Sequence, residues 1–199
     1  MSQTEKGLLA FAIAALVAAI ASVIFLPQYA LHVLYVLIVS QVLLLGFYIV
    51  NSTLLLYRII FIAFIVGWAG TLLRLFHEPS WQVVYSVKYF AELLLGILML
   101  AKIARSYGKD GFQLYPFLLG ILLILPALYS LGLVFHLMPG DQGNLSDVLY
   151  IPLIGVIFTL MTNNNLWAGY KKEEQYAITY MLIVIILPVA QYFIEQYIQ

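Results

Sequence analysis

GLLAFAIAALVAAIASVIFL, residues 7–26, runs for twenty positions without a charged residue. An α-helix rises 1.5 Å per residue, so this stretch reaches about 30 Å, the thickness of the hydrocarbon core of a bilayer. Lys6 followed by an apolar run and Ala19-Ile20-Ala21 also has the pattern of a secretory signal with a small-residue cleavage site. The apolar run continues past that tripeptide to Phe25 and Leu26, so a retained first span is the expectation.

Six further apolar stretches follow, at about 30–50, 54–76, 82–103, 114–136, 147–167 and 176–196. Short polar or helix-breaking segments separate them: Pro27, Asn51-Ser52-Thr53, His77-Glu78-Pro79-Ser80, Arg105 to Gly111, Leu137 to Ser146, and Lys171-Lys172-Glu173-Glu174. The expected fold is all-α: one transmembrane domain over residues 1–199, a polytopic bundle of seven transmembrane helices. Composition agrees. The hydrophobic fraction is 64%, the charged fraction 9% and the mean hydropathy +1.02. A soluble domain carries about 25% charged residues, so the surface of this bundle is expected to face lipid. A net charge of zero gives no reason to expect nucleic acid, and the absence of cysteine excludes disulfides and thiolate chemistry.

Basic residues set the orientation. With seven spans, Lys6, Arg58, Lys102, Arg105, Lys109, Lys171 and Lys172 fall on one side, and only Arg74 and Lys88 lie toward the other. This places the N-terminus in the cytoplasm and the C-terminus outside, in a cell membrane (in a bacterium, the inner membrane). Tyr29, Trp81, Tyr107, Trp167, Tyr170 and Tyr197 sit near span ends, as interfacial aromatic residues do.

Ala10, Ala14, Ala18 and Ser22 form a small-residue row at four-residue spacing. Such a row lets helix backbones approach closely, either within this bundle or against another membrane subunit. Pro126, Pro152 and Pro188 fall inside spans 5, 6 and 7, where each removes a backbone hydrogen bond. Three neighbouring kinks are one way to open a cavity.

An ionisable side chain within a span costs about 2.5–3.5 kcal/mol on insertion scales and needs a reason to be there. Glu92 lies near the middle of span 4, with Lys88 one turn before it on the same helix face. Two readings follow: a neutralised pair that holds the bundle, or a buried charge that carries an ion or proton. Gln41 of span 2 falls at similar depth and would hydrogen-bond Glu92 if the two helices touch. Arg74 and His77 share a face if span 3 stays helical that far. His32, His77 and His136 all map to the outer ends of their spans, and Asp147 falls in the same layer. These are metal-ligating residue types without metal-site spacing, so interfacial histidines are the expectation and no metal is assigned. Arg58 is expected to snorkel to the headgroups, and Asn163-Asn164-Asn165 to cap the end of span 6. No cofactor is expected: the chain has no nucleotide-binding loop and no catalytic triad or dyad, and its last span has no lysine that could hold a retinal.

Gly70-Thr71-Leu72-Leu73-Arg74-Leu75-Phe76-His77-Glu78-Pro79 resembles the transmembrane hairpin of the gliding-motility and type 9 secretion motor, L subunit, whose pattern reads roughly G-x-L-F-K-I-x-H-x-x before a second helix with a buried glutamate. The resemblance covers residues 67–100. It implies that Arg74, His77 and Glu92 take part in proton coupling in a motor stator. The functional expectation is therefore a membrane component with an ion- or proton-coupled transport or motor-associated role centred on Glu92. The alternatives are a membrane enzyme acting on lipid through His32, His77, His136 and Asp147, or a purely structural or assembly subunit.

Overall fold

The computed structural model describes residues 3–110, 112–137 and 144–198. Helices make up nearly all of it, and no strand occurs among the described residues. They are α1 (Gln3–Phe25), α2 (Ala30–Asn51), α3 (Leu55–Leu75), α4 (Trp81–Asp110), α5 (Leu114–Val134), α6 (Asn144–Thr162), a short α7 (Asn164–Ala168) and α8 (Lys172–Ile198), with a 3₁₀ turn at Pro27–Tyr29. Five of them, α1 to α5, are long and apolar enough to cross a membrane, and α6 contributes a shorter apolar stretch, Val148–Thr162.

Each expected span corresponds to a helix, with shifted ends. The expected loop at 105–111 is instead helical through Asp110. Gly108 costs a helix only about 1 kcal/mol, too little to stop one that its neighbours already hold. Span 6 ends at Thr162 instead of 167. Asn163 leaves the helix with φ −101° and ψ 99°, and its Oδ1 accepts from the backbone N–H groups of Asn165 (3.1 Å) and Leu166 (3.2 Å). The asparagine run therefore caps the N-terminus of α7 and not the C-terminus of α6.

Each long helix packs on its neighbour in sequence, and α8 closes the bundle by packing on α6, α1 and α3. Residues 176–181 of α8 are all buried. A helix enclosed on every face is one that lies inside the bundle. Tyr48 of α2 stacks on Tyr176 of α8 at 4.3 Å between ring centres, worth about 0.5–1.5 kcal/mol beyond area burial. Trp68 Nε1 of α3 donates to Tyr180 Oη at 2.6 Å.

The small-residue row of α1 is turned the other way from the expected packing within the bundle. Ala10, Ala14 and Ala18 are exposed, and the buried row is Ala12, Ala15, Ala19 and Ser22. An alanine-rich helix offers small rows on several faces, so spacing alone does not choose between them. Helices α5 and α6 run unbroken through Pro126 and Pro152, and the cavities described below are lined by other residues. The side chain of residue 188 lies outside the described part.

Four glycines set the position of α4. A Cβ on Gly67 would stand 2.8 Å from Lys88 Cβ, and one on Gly70 would stand 2.5 Å from the Tyr85 backbone N. On the other flank, a Cβ on Gly96 would meet the Gly120 carbonyl at 2.9 Å, and one on Gly120 would meet Leu100 at 2.5 Å. Helices approach this closely only where one of the facing residues lacks a side chain. Helix α4 is clasped between α3 and α5, which fixes the residues it carries.

Candidate functional site

Helix periodicity puts Trp81, Tyr85, Lys88, Tyr89 and Glu92 along one side of α4. The eleven residue-to-residue steps from Trp81 to Glu92 span roughly 16 Å of helix, from its end to mid-bundle. Glu92 is wholly buried, at 0% exposure. Its Oε2 accepts a 2.7 Å hydrogen bond from Tyr150 Oη of α6. Its Oε1, also buried, has no hydrogen-bond partner among the described residues.

Lys88 is buried too, but it forms no ion pair with Glu92. Among the described residues the one ion pair within 4.0 Å is Lys102–Glu174. The Lys88 ammonium instead lies over two rings of its own helix, 4.4 Å from the centre of Tyr85 and 4.8 Å from that of Tyr89. A cation over an aromatic face is held by the ring quadrupole, an interaction that strengthens with desolvation. The i, i+4 spacing is therefore real, but the two side chains have different partners.

Toward the Trp81 end, Trp81, Gln82, Tyr85, Tyr89, Ser130 and Leu133 line a cavity of about 10 Å³ between α4 and α5, close to the smallest space that admits one water. Tyr85 and Tyr89 meet edge to face at 5.7 Å, and Trp81 and Tyr85 at 6.3 Å. In the opposite direction the same side of α4 continues with Leu95 and Met99, both at 0% exposure. Leu153, Ile157 and Leu160 of α6, equally buried, belong to the same core. Polar groups lead from one end of α4 to Glu92, and apolar side chains follow it.

The other expected site residues lie apart from Glu92, and of them Arg74 touches the Trp81 end of this line. Gln41 is fully buried, but its Nε2 contacts the Ala12 carbonyl of α1 (3.5 Å) and Ser40 Oγ (3.4 Å), so it serves the α1–α2 interface and not Glu92. Arg74 is exposed and covers the Trp81 ring at 5.0 Å. His77 does not continue the helical face of Arg74, because α3 stops before it. Its φ is 56°, its N–H bonds the Arg74 carbonyl (3.1 Å), and the Glu78 N–H bonds the Leu73 carbonyl (3.0 Å). That pair of bonds is the Schellman helix stop. His136 does the same for α5: φ 54°, with His136 N–H to Leu133 (3.1 Å) and Leu137 N–H to Gly132 (2.7 Å). These histidines occupy the left-handed position that glycine usually fills, and histidine is one of the few other residues enriched there. His32 is exposed near the start of α2. No three His, Asp or Glu side chains among the described residues gather so as to hold a metal. The side chain of Asp147 lies outside the described part.

Sequence reasoning missed Tyr150 and the second charged cluster, at the end of the bundle opposite Trp81. There Lys102 Nζ donates to Glu174 Oε2 (2.7 Å) and to the Gly169 carbonyl (2.9 Å), 4.1 Å from the Tyr170 ring centre. Glu173 Oε1 accepts from Thr53 Oγ1 (2.6 Å) and Thr53 N–H (3.1 Å), and this hydrogen bonding holds its carboxyl below the usual carboxylate range. Arg58 does not simply reach outward, since its Nε donates to the Ser52 carbonyl at 2.8 Å. The acid–base alternation of Lys171-Lys172-Glu173-Glu174 was visible in the sequence, but its partners lie up to 120 residues away. No protein-family model, no curated protein and no solved structure matches the chain.

Proposed function

We propose that this chain is a multi-pass membrane protein of seven spans, N-terminus cytoplasmic and C-terminus outside, in which Glu92 takes up and releases a proton reached from the Trp81 end. The role is ion- or proton-coupled transport, or a place in an ion-driven motor. The observation that carries the reading is Glu92 itself: fully buried, held by one tyrosine hydroxyl, and left among the described residues with a second carboxylate oxygen unpartnered. A structural carboxylate at that depth gains most by pairing both oxygens, because a buried polar atom without a partner costs about 1–3 kcal/mol. A carboxyl that exchanges a proton needs an open position. Ionisable groups in such settings line ion and proton paths in membrane proteins. Support also comes from the line of Trp81, Tyr85 and Tyr89 leading to Glu92, from the apolar stretch beyond it, and from the resemblance of residues 67–100 to the motor hairpin.

The test is proton flux into proteoliposomes carrying an internal pH dye. Wild-type protein is expected to dissipate an imposed pH gradient faster than empty vesicles, and Glu92→Gln to abolish that flux at unchanged thermal stability. Equal flux in both, or none in either, refutes the reading and leaves Glu92 a structural residue. Reporter fusions test the topology: cytoplasmic signals are expected after Gly108 and within 171–174, and external ones after Gly140 and at Gln199.

A further inference from the structure

Beyond Glu92, a cavity of about 530 Å³ opens where the start of α3, the later turns of α4 and the start of α8 meet. Its walls include Leu55, Leu98, Lys102, Arg105, Lys171 and Glu174. The charges do not balance. Glu174 is the only acid among the described residues that line the cavity, and it is occupied by Lys102 at 2.7 Å and by the Lys171 backbone N–H at 2.8 Å. Arg105 and the Lys171 side chain are exposed and form no ion pair within 4.0 Å among the described residues, although Lys171 also acts electrostatically on Glu173 beside it; the described lining keeps a surplus of two positive charges. The rest of the wall is apolar. Leu54, Leu55 and Leu56 are all exposed, and Ala101 and Leu98 lead from the basic mouth one turn down α4 toward the middle of the bundle.

From this pairing of cationic mouth and apolar wall we infer that the cavity holds the head of one anionic phospholipid. Its phosphate lies between Arg105 and Lys171, and its acyl chains run along Leu54–Leu56 and Leu98. Basic pockets between helices at the cytoplasmic surface recognise anionic lipid heads in this way, and a guanidinium suits a phosphate through its paired donors. A free phosphate shares the head's chemistry, but it would gain nothing from the leucine wall. The inference rests on the membrane reading of the chain and is independent of Glu92.

The experiment uses the full chain purified in detergent, with retained lipid read by native mass spectrometry and the thermal midpoint read in parallel. Phosphatidylglycerol, phosphatidylcholine and inorganic phosphate are added separately. One phosphatidylglycerol is expected to stay bound and raise the midpoint, while phosphatidylcholine and phosphate do neither. Arg105→Gln with Lys171→Gln is expected to weaken lipid binding about thirty-fold, the effect of removing two surface charges, at an unchanged midpoint in lipid-free detergent. Arg105→Lys alone is expected to restore most of the binding that Arg105→Gln alone loses, which separates charge recognition from misfolding. Equal retention of both lipids, or equal retention by the double variant, overturns the inference. Displacement by millimolar phosphate overturns the lipid assignment in favour of a soluble anion. A chain released from membranes by a carbonate wash would refute the membrane reading, separately from the lipid site.

Discussion

Replacing Gly70 by alanine tests whether the glycine clasp positions the Glu92 helix. The new Cβ would lie 2.5 Å from Tyr85 N, 2.6 Å from its Cα and 2.8 Å from its Cβ. Carbon atoms are at their optimum near 3.5–4.0 Å, so α3 and α4 must separate by about 1 Å. Two of the three atoms are backbone, so no rotamer change relieves the clash. Overpacking of this kind costs about 1–3 kcal/mol, offset by about 0.8–1.0 kcal/mol gained when alanine replaces glycine inside a helix. The net expectation is a loss of up to about 2 kcal/mol, which lowers the thermal midpoint in detergent by up to about 8 °C for a chain of this size. Gly46→Ala is the matched control. That glycine also lies inside a helix, and a Cβ there meets nothing within 4 Å. It is expected to raise the midpoint, by about 2–4 °C at most. Circular dichroism melts of the two variants side by side give the measurement. If Gly70→Ala melts at or above wild type, moving together with Gly46→Ala, the clasp does not exist.

Three further outcomes are expected. Ala14→Leu should leave the melting point unchanged because Ala14 is exposed, whereas Ala15→Leu, at 4% exposure, should lower it by about 1–3 kcal/mol of overpacking; equal effects in the two melts would mean that α1 is rotated. His136→Gly should stabilise by up to about 1.5 kcal/mol, the left-handed penalty of about 1–2 kcal/mol less the about 0.4–1 kcal/mol that glycine's freedom gives the unfolded chain, and His136→Val should destabilise because a β-branched side chain tolerates φ 54° least, both read as midpoint shifts. Thr53→Val should cost about 1–2 kcal/mol at neutral pH by removing a donor to the Glu173 carboxylate. Because folding lowers the Glu173 pKa, this stabilisation is complete above the unfolded value of about 4.3 and disappears as pH falls through the folded value. The midpoint difference between Thr53→Val and wild type should hold from pH 8 to 6 and vanish in acid.

Span positions were legible because an apolar run of about twenty residues is a one-dimensional signal, and α1 to α5 begin and end near the polar breaks. The rotation of each helix was not. In a soluble helix the polar face points outward, but here both faces are apolar, so Ala10, Ala14 and Ala18 looked as suited to packing as Ala12, Ala15 and Ala19. The burial of Glu92 was readable from its depth in span 4. Its partner was not, because Tyr150 is one of fifteen tyrosines and only the packing of α6 selects it. The ring partners of Lys88 were not legible, because helix spacing gives proximity without giving rotamer, and two tyrosine rings compete for its ammonium. The helix-stop role of His77 and His136 was not legible, because a Schellman stop normally has glycine in their place.

The position of α8 inside the bundle bears on how the chain is assembled. Pairs such as α3 with α4 are hairpins that form as soon as both helices are inserted. The interior is different: Trp68 waits for Tyr180, 112 residues later, and Thr53 waits for Glu173, 120 residues later. Until α8 arrives, α1, α2, α3 and α6 leave unfilled the positions at which Tyr48, Phe64 and Trp68 meet it. An insertion machine that released helices into lipid one at a time would leave those positions open to wrong partners. On the membrane reading proposed above, one that retained α1 to α6 until α8 entered would not, and holding the early helices back suits the contacts that α8 makes.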